Sequence, residues 1–277
     1  MGYVALVNQL PTILALAAYG YVALAHLLPD LANQMGGQKT ARYAGMFGVA
    51  CHAVALVALP YKGVVQPGFS EALSAASFGI MFAYLLVGRE RLRALGLLLA
   101  PLSVVILGTA TVVPRQEVVG AAALAPALSP WLPVHLGLMV AGLGGFALAF
   151  AVGVVYLYVR DRLKKKQLAS IRRLPSLEAL DRVQFRAMLF GFTFLTLGIG
   201  VGGALAAASL EGSWSLDPKV WFVTLIWAWY AVALQIRLVA GWRGRLSALF
   251  SIVGFGGMIF SLLVMNFLVG GFHAHVS

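Results

Sequence analysis

Charge is what this sequence has least of. Asp, Glu, Lys and Arg together make up 10% of its 277 residues, where a soluble domain carries roughly 25%. That shortage excludes a water-soluble globule of one or two domains. Cysteine is nearly missing as well. Cys51 is the only one, which excludes an intramolecular disulfide, a zinc-finger spacing and a CxxCH haem-attachment motif. Acidic residues number nine against 20 basic ones, and no paired carboxylates, Ser/His/Asp set or phosphate loop can be assembled from them. The N-terminus has no basic n-region. Its apolar run, from about Tyr3 to Leu28, is longer than a signal-peptide core and reads as a retained helix.

What the sequence has instead is apolar length: 61% of it is hydrophobic. Eight runs approach the ~20 residues a helix needs to cross a bilayer, near Tyr3–Leu28, Ala41–Tyr61, Phe69–Gly88, Leu92–Val113, Val134–Val159, Ala187–Ala208, Val220–Ala240 and Leu246–Gly271. The expected fold is therefore all-α, a polytopic membrane bundle of about eight transmembrane helices forming a single membrane domain over 1–277. With sides alternating, 17 of the 20 basic residues fall on one side; only Lys62, Arg115 and Lys219 fall on the other. Cytoplasmic loops collect Lys and Arg, so both termini are expected on the non-cytoplasmic side of a bacterial-type inner membrane. The same asymmetry accounts for the net charge of +11 without nucleic acid as a partner. The lipid bilayer is the partner it implies.

The longest cytoplasmic connection is expected over 160–186. It starts with the basic run RDRLKKKQ and continues as a short amphipathic helix capped by Ser176. On the outer side, the apolar connection from Pro114 to Pro133 is too short to span and is expected in the interface or folded over the bundle. The stretch Gly198–Gly203 matches G-x-G-x-x-G but follows no strand. Its glycines, like those at Gly142–Gly145 and Gly254–Gly257, are expected to let helices pack closely.

Five histidines are the main candidates for chemistry. His135 opens the fifth run and His273 and His275 follow the eighth, all at the outer end; His52 is mid-membrane and His26 lies near the cytoplasmic end of the first run. A histidine in a span usually faces the bundle interior, where packing is its commonest role. Two neutral imidazoles facing one pocket can hold haem iron. The outer connection Glu211–Lys219 carries Trp214, Asp217 and Lys219, and Trp221 follows it. It reads either as an interfacial aromatic belt or as an aromatic floor for a flat ligand.

The segments LEALDRVQFRAMLFGFTF, GSWSLDPKVW and RLVAGWRGR, together with WLPVHLGLMVAG around His135, resemble the cytochrome c assembly family, haem-handling membrane proteins of the CcsA, CcmC and CcmF type. The short chain looks like the small HemX/YpjD-like branch. The resemblance covers about Cys51 to His273, with a family-like core at 131–277 and a less similar half at 1–130. It implies haem b held at the outer face, with His135 and His273 as iron ligands, and with Trp214, Asp217, Lys219 and Trp221 in the flanking loop. An apocytochrome c or another membrane subunit is the implied partner, and a haem lyase or haem delivery system the implied setting. His52 matches the first of two intramembrane haem ligands, but Gln235 stands where the second is expected and Leu216 where the loop expects a tryptophan. Either the intramembrane haem is absent or a residue such as His26 replaces the missing ligand. Two readings of function stay open: haem handling in c-type cytochrome biogenesis, or an accessory or regulatory membrane subunit that keeps the fold with a degenerate haem site. A transporter is less supported, because no acidic residue lies mid-span.

Overall fold

The computed structural model describes residues 2–34, 37–57, 69–87, 90–113, 131–172, 174–209 and 218–272. Among the described residues nine α-helices follow one another: α1 (Gly2–Leu27), α2 (Pro29–Gln34), α3 (Gly37–Val57), α4 (Phe69–Val87), α5 (Gly96–Val112), α6 (Trp131–Lys164), α7 (Leu177–Ser209), α8 (Pro218–Val239) and α9 (Arg245–Phe272). Two short 3-10 turns, Glu90–Leu95 and Leu168–Ile171, complete the described elements. All but the six-residue α2 coincide with the eight apolar runs. Of the described helices six, α1, α3, α4, α6, α7 and α8, are long and apolar enough to cross a bilayer. Two more apolar helices are shorter by the same measure, α5 and the Arg245–Phe260 part of α9, although the backbone of α9 stays helical to Phe272. The protein is a polytopic helical membrane bundle.

The chain divides into two compact units, 1–123 and 124–277. In the first, α1 packs on α3 and α5, and α4 packs on α3 and α5, closing a four-helix ring. Tyr19, Ile80, Met81, Leu99 and Leu107 fill its centre, while Leu14, Phe47, Val54, Phe82 and Val105 face outward. Apolar side chains on the outside are what a lipid-facing surface requires, since backbone polar groups are already satisfied within each helix.

In the second unit α6 lies against α7 along most of its length, and α9 lies against α6 and α8. Glycine makes the α6–α7 contact possible. A Cβ on Gly145 would sit 2.8 Å from the Cα of Gly191, and one on Gly142 would sit 3.1 Å from the backbone nitrogen of Leu195. Close backbone approach of this kind is how small residues join helices where burial from water supplies little drive. Phe146 and Tyr230 stack at 3.7 Å between ring centroids and are fully buried.

The expected 160–186 connection is mostly helix. α6 runs on to Lys164 and α7 already begins at Leu177. At ~1.5 Å per residue, helices of 34 and 33 residues exceed a ~30 Å hydrocarbon core by several turns. Between Gly153 and Pro175 no Gly or Pro interrupts the run, and Arg, Lys and Leu are good helix formers. α6 stops where Lys166 takes a left-handed φ of 55° and the Gln167 N–H reaches back to the Arg162 carbonyl at 2.9 Å. α7 starts after Pro175, and its Ala179 N–H donates to the Ser176 hydroxyl at 3.3 Å. The amphipathic helix capped by Ser176 is thus the first turns of the sixth span rather than a separate element. Of the expected Pro114–Pro133 connection, 131–133 already belong to α6, and 114–130 lie outside the described residues.

Candidate functional site

His135 sits in the first turns of α6, and its ring lies on the glycine-rich stretch of α7. Its Nδ1 is 2.9 Å from the Gly198 carbonyl oxygen. A carbonyl only accepts, so Nδ1 carries a proton, and in a neutral ring Nε2 then keeps the lone pair. The ring rests where Gly202 has no side chain: a Cβ there would be 2.6 Å from Cε1 and 2.8 Å from Nδ1 of His135. Gly198 likewise makes room for Met139, one helical turn on, whose sulfur would be 2.8 Å from an added Cβ. The glycines at 198 and 202 therefore form a floor for α6 side chains, while Gly200 and Gly203 face open space. An imidazole fixed through one nitrogen to a backbone carbonyl, with the other nitrogen unprotonated, is the arrangement that metal-ligating histidines use. His135 thus fits a ligand to haem iron.

The remaining residues of the expected outer site are only partly in view. α9 stays helical to Phe272 and so carries the chain to the residue before His273. His273, Trp214 and Asp217 lie outside the described residues. Lys219 and Trp221 belong to the first turn of α8, and the Trp221 side chain is 65% exposed. Deeper in the same helix, Trp227 donates to Thr196 at 2.9 Å and stacks on Phe192, joining α8 to α7.

His52 is placed differently. It is fully buried in the first unit, with Nδ1 3.1 Å from the Tyr19 hydroxyl and Nε2 2.9 Å from the Ser74 hydroxyl. Phe78 closes the site edge-on. Both ring nitrogens are engaged, and an iron there would have to displace one of these partners. His26 is similar: Nδ1–H donates to the Val22 carbonyl at 2.8 Å, and Nε2 accepts from Tyr84 at 2.9 Å. Gly96 leaves just enough room for that ring, since a Cβ would be 2.4 Å from Nε2. Neither histidine presents a lone pair to a ligand, and the Gln235 side chain is exposed. The residues present do not fit an intramembrane haem. They fit a locked helix contact.

A third polar constellation was not legible as a unit in the sequence. Arg237, at the end of α8, makes a two-pronged ion pair with Asp181 of α7, Nη2 to Oδ2 at 2.6 Å and Nη1 to Oδ1 at 2.9 Å. Nη1 also donates to Ser247 of α9 at 3.1 Å, and the Gly244 N–H donates to Asp181 Oδ1 at 2.9 Å. The guanidinium lies 4.5 Å over the Phe185 ring. The motifs LDRVQFRA and RLVAGWRGR, which stand far apart in the chain, therefore close on one another to hold three helix ends.

The comparisons agree with these motifs. Residues 66–273 match the family model described as cytochrome C assembly protein. Curated relatives include the cytochrome c biogenesis protein CcsA of Guillardia theta, 28% identical over 74% of this chain and 74% of the relative. CcsA of Prochlorococcus marinus is 25% identical over 97% of this chain and 95% of its own length. CcsA of Chlamydomonas reinhardtii is 31% identical over 66% of this chain and 51% of its own. A match spanning most of the chain, resting on the elements that carry His135 and the Asp181–Arg237 clamp, shows that this protein belongs to the cytochrome c assembly family.

Proposed function

We propose that the protein handles haem in c-type cytochrome biogenesis, presenting it at the outer face of a bacterial-type cytoplasmic membrane to an apocytochrome c. The observation that carries the reading is His135: its Nδ1 donates to the Gly198 carbonyl, and its ring is seated in a cradle that only glycine permits. Family membership and the CcsA relatives support the setting. Haem b, when bound, supplies vinyl groups that can react with cysteine thiols. The chain's own part is positional. His135 and His273 would be the residues that hold the iron. Trp214 and Trp221 would offer aromatic faces, and Lys219 would offer a cation for a propionate, with Asp217 in the same loop of the sequence. His52 serves the packing of the first unit in this reading.

Purified protein is expected to show a Soret band, which His135→Ala with His273→Ala removes. A colourless preparation that does not take up added haem refutes the reading. A second reading, an accessory subunit that keeps the fold, is favoured by one observation: exposed Gln235 and fully engaged His52 leave no intramembrane haem pair. A haem-free protein that co-purifies with a stoichiometric membrane partner selects it.

A further inference from the structure

The turn between α8 and α9 is built more rigidly than a connection needs. α8 closes with Gly241 at φ 66° and the Trp242 N–H reaching back to the Ile236 carbonyl. Gly244 follows at φ 72°, its N–H bonded to Asp181 and its Cα so near α6 that a Cβ would be 2.5 Å from the Tyr156 hydroxyl. On this frame stands an open pocket of about 390 Å³ lined by Trp242, Arg243, Arg245, Leu246 and Leu249. Trp242 is 56% exposed, and Arg243 and Arg245 are exposed.

The carboxylate of this corner, Asp181, is already occupied. Its Oδ2 is taken by Arg237, and its Oδ1 by Arg237 and the Gly244 N–H. Among the described residues neither Arg243 nor Arg245 makes an ion pair within 4 Å of an acidic group. Two guanidinium forks are thus held beside an indole at the end of a membrane helix, with leucines leading away along that helix. An indole belongs at the headgroup level of a bilayer. Guanidinium forks match phosphate oxygens, and leucines match acyl chains.

We propose that this pocket binds the phosphate headgroup of one anionic phospholipid, with its acyl chains along Leu246 and Leu249. The alternative source of the same chemistry is free phosphate, and diffuse attraction by the basic end of α6 is the competing physical cause. Both are separable by experiment.

Full-length protein in neutral detergent is titrated with phosphatidylglycerol or phosphatidylcholine, and bound lipid is counted by native mass spectrometry. Wild type is expected to retain phosphatidylglycerol in preference to phosphatidylcholine. R243Q/R245Q is expected to bind phosphatidylglycerol roughly thirtyfold more weakly, two surface cations' share, with phosphatidylcholine unchanged. K164Q/K166Q, which removes exposed charge from the end of α6, is expected to change binding less than threefold. Equal binding by R243Q/R245Q, an equal loss in K164Q/K166Q, or displacement of the lipid by millimolar inorganic phosphate overturns the proposal. If the double variant aggregates on size exclusion, R243Q and R245Q are read singly. Each is expected to lose about fivefold, and no loss in either overturns it.

Discussion

Replacing Gly202 with alanine tests the His135 cradle at its tightest point. The added Cβ would fall 2.6 Å from Cε1 of His135 and 2.8 Å from Nδ1. Restoring an ordinary carbon–carbon contact of ~3.6 Å requires the ring to move by about 1 Å. Such a shift takes Nδ1 out of reach of the Gly198 carbonyl, now 2.9 Å away, and a lost hydrogen bond of this kind costs about 1 kcal/mol. Alanine is otherwise the better helix former by about 1 kcal/mol, so the two effects on stability roughly cancel. The effect on a ligand does not cancel, because the ring has lost both its tautomer lock and its direction. Losing such an outer partner costs metal sites about 10–100-fold in affinity. Gly200→Ala is the matched control: its Cβ meets nothing within 4 Å, and it should raise helix stability without touching the ring. The assay is a haem titration followed at the Soret band, with a thermal melt of the haem-free protein alongside. Expected are a 10–100-fold weaker haem affinity in Gly202→Ala, an unchanged affinity in Gly200→Ala, and a lower melting temperature in Gly202→Ala than in Gly200→Ala. Equal haem affinity and equal melting in the two variants refutes the cradle.

Three further outcomes follow from the packing. Asp181→Ala leaves the Arg237 guanidinium buried without its carboxylate, which should destabilise the protein by about 3–5 kcal/mol; the double variant with Arg237→Met should recover part of that loss in a thermal melt. Gly145→Ala pushes a methyl group into the Gly191 backbone, which should cost about 1–3 kcal/mol, because neither helix can yield without parting from the other; unchanged detergent stability contradicts the contact. His52→Ala removes the partner of the Tyr19 and Ser74 hydroxyls and should lower stability by about 1–3 kcal/mol while leaving any Soret band in place. Loss of the band with His52 alone contradicts the assignment of haem to the outer end.

Much of the fold was legible from hydropathy, because the bilayer demands a fixed length of apolar helix from each crossing and leaves charge only at the ends. The helix limits at Phe69, Val112 and Ser209 lie within a few residues of the apolar limits. The stretch 160–186 was legible only in part. Its charge marked the side, but charge does not end a helix, and Arg and Lys carried α6 and α7 well past the apolar runs. His135 stood out in the sequence as a polar residue at a span's start, yet the G-x-G-x-x-G stretch that seats it pointed only to close packing.

The sequence by itself determined the class of protein, where the long apolar helices lie and which motifs matter, because these follow from composition, span length and local pattern. Only the tertiary structure decided what His26, His52 and His135 bond to. His52 and His26 are distinguished from His135 by the hydroxyls that Tyr19, Ser74 and Tyr84 of other helices bring to their nitrogens, and no local pattern encodes a hydrogen bond to a residue dozens of positions away. The same holds for Asp181 and Arg237, 56 residues apart in the chain and joined at 2.6 Å. A charge in a membrane protein declares that it needs a partner, and the packing of α7, α8 and α9 chooses which one.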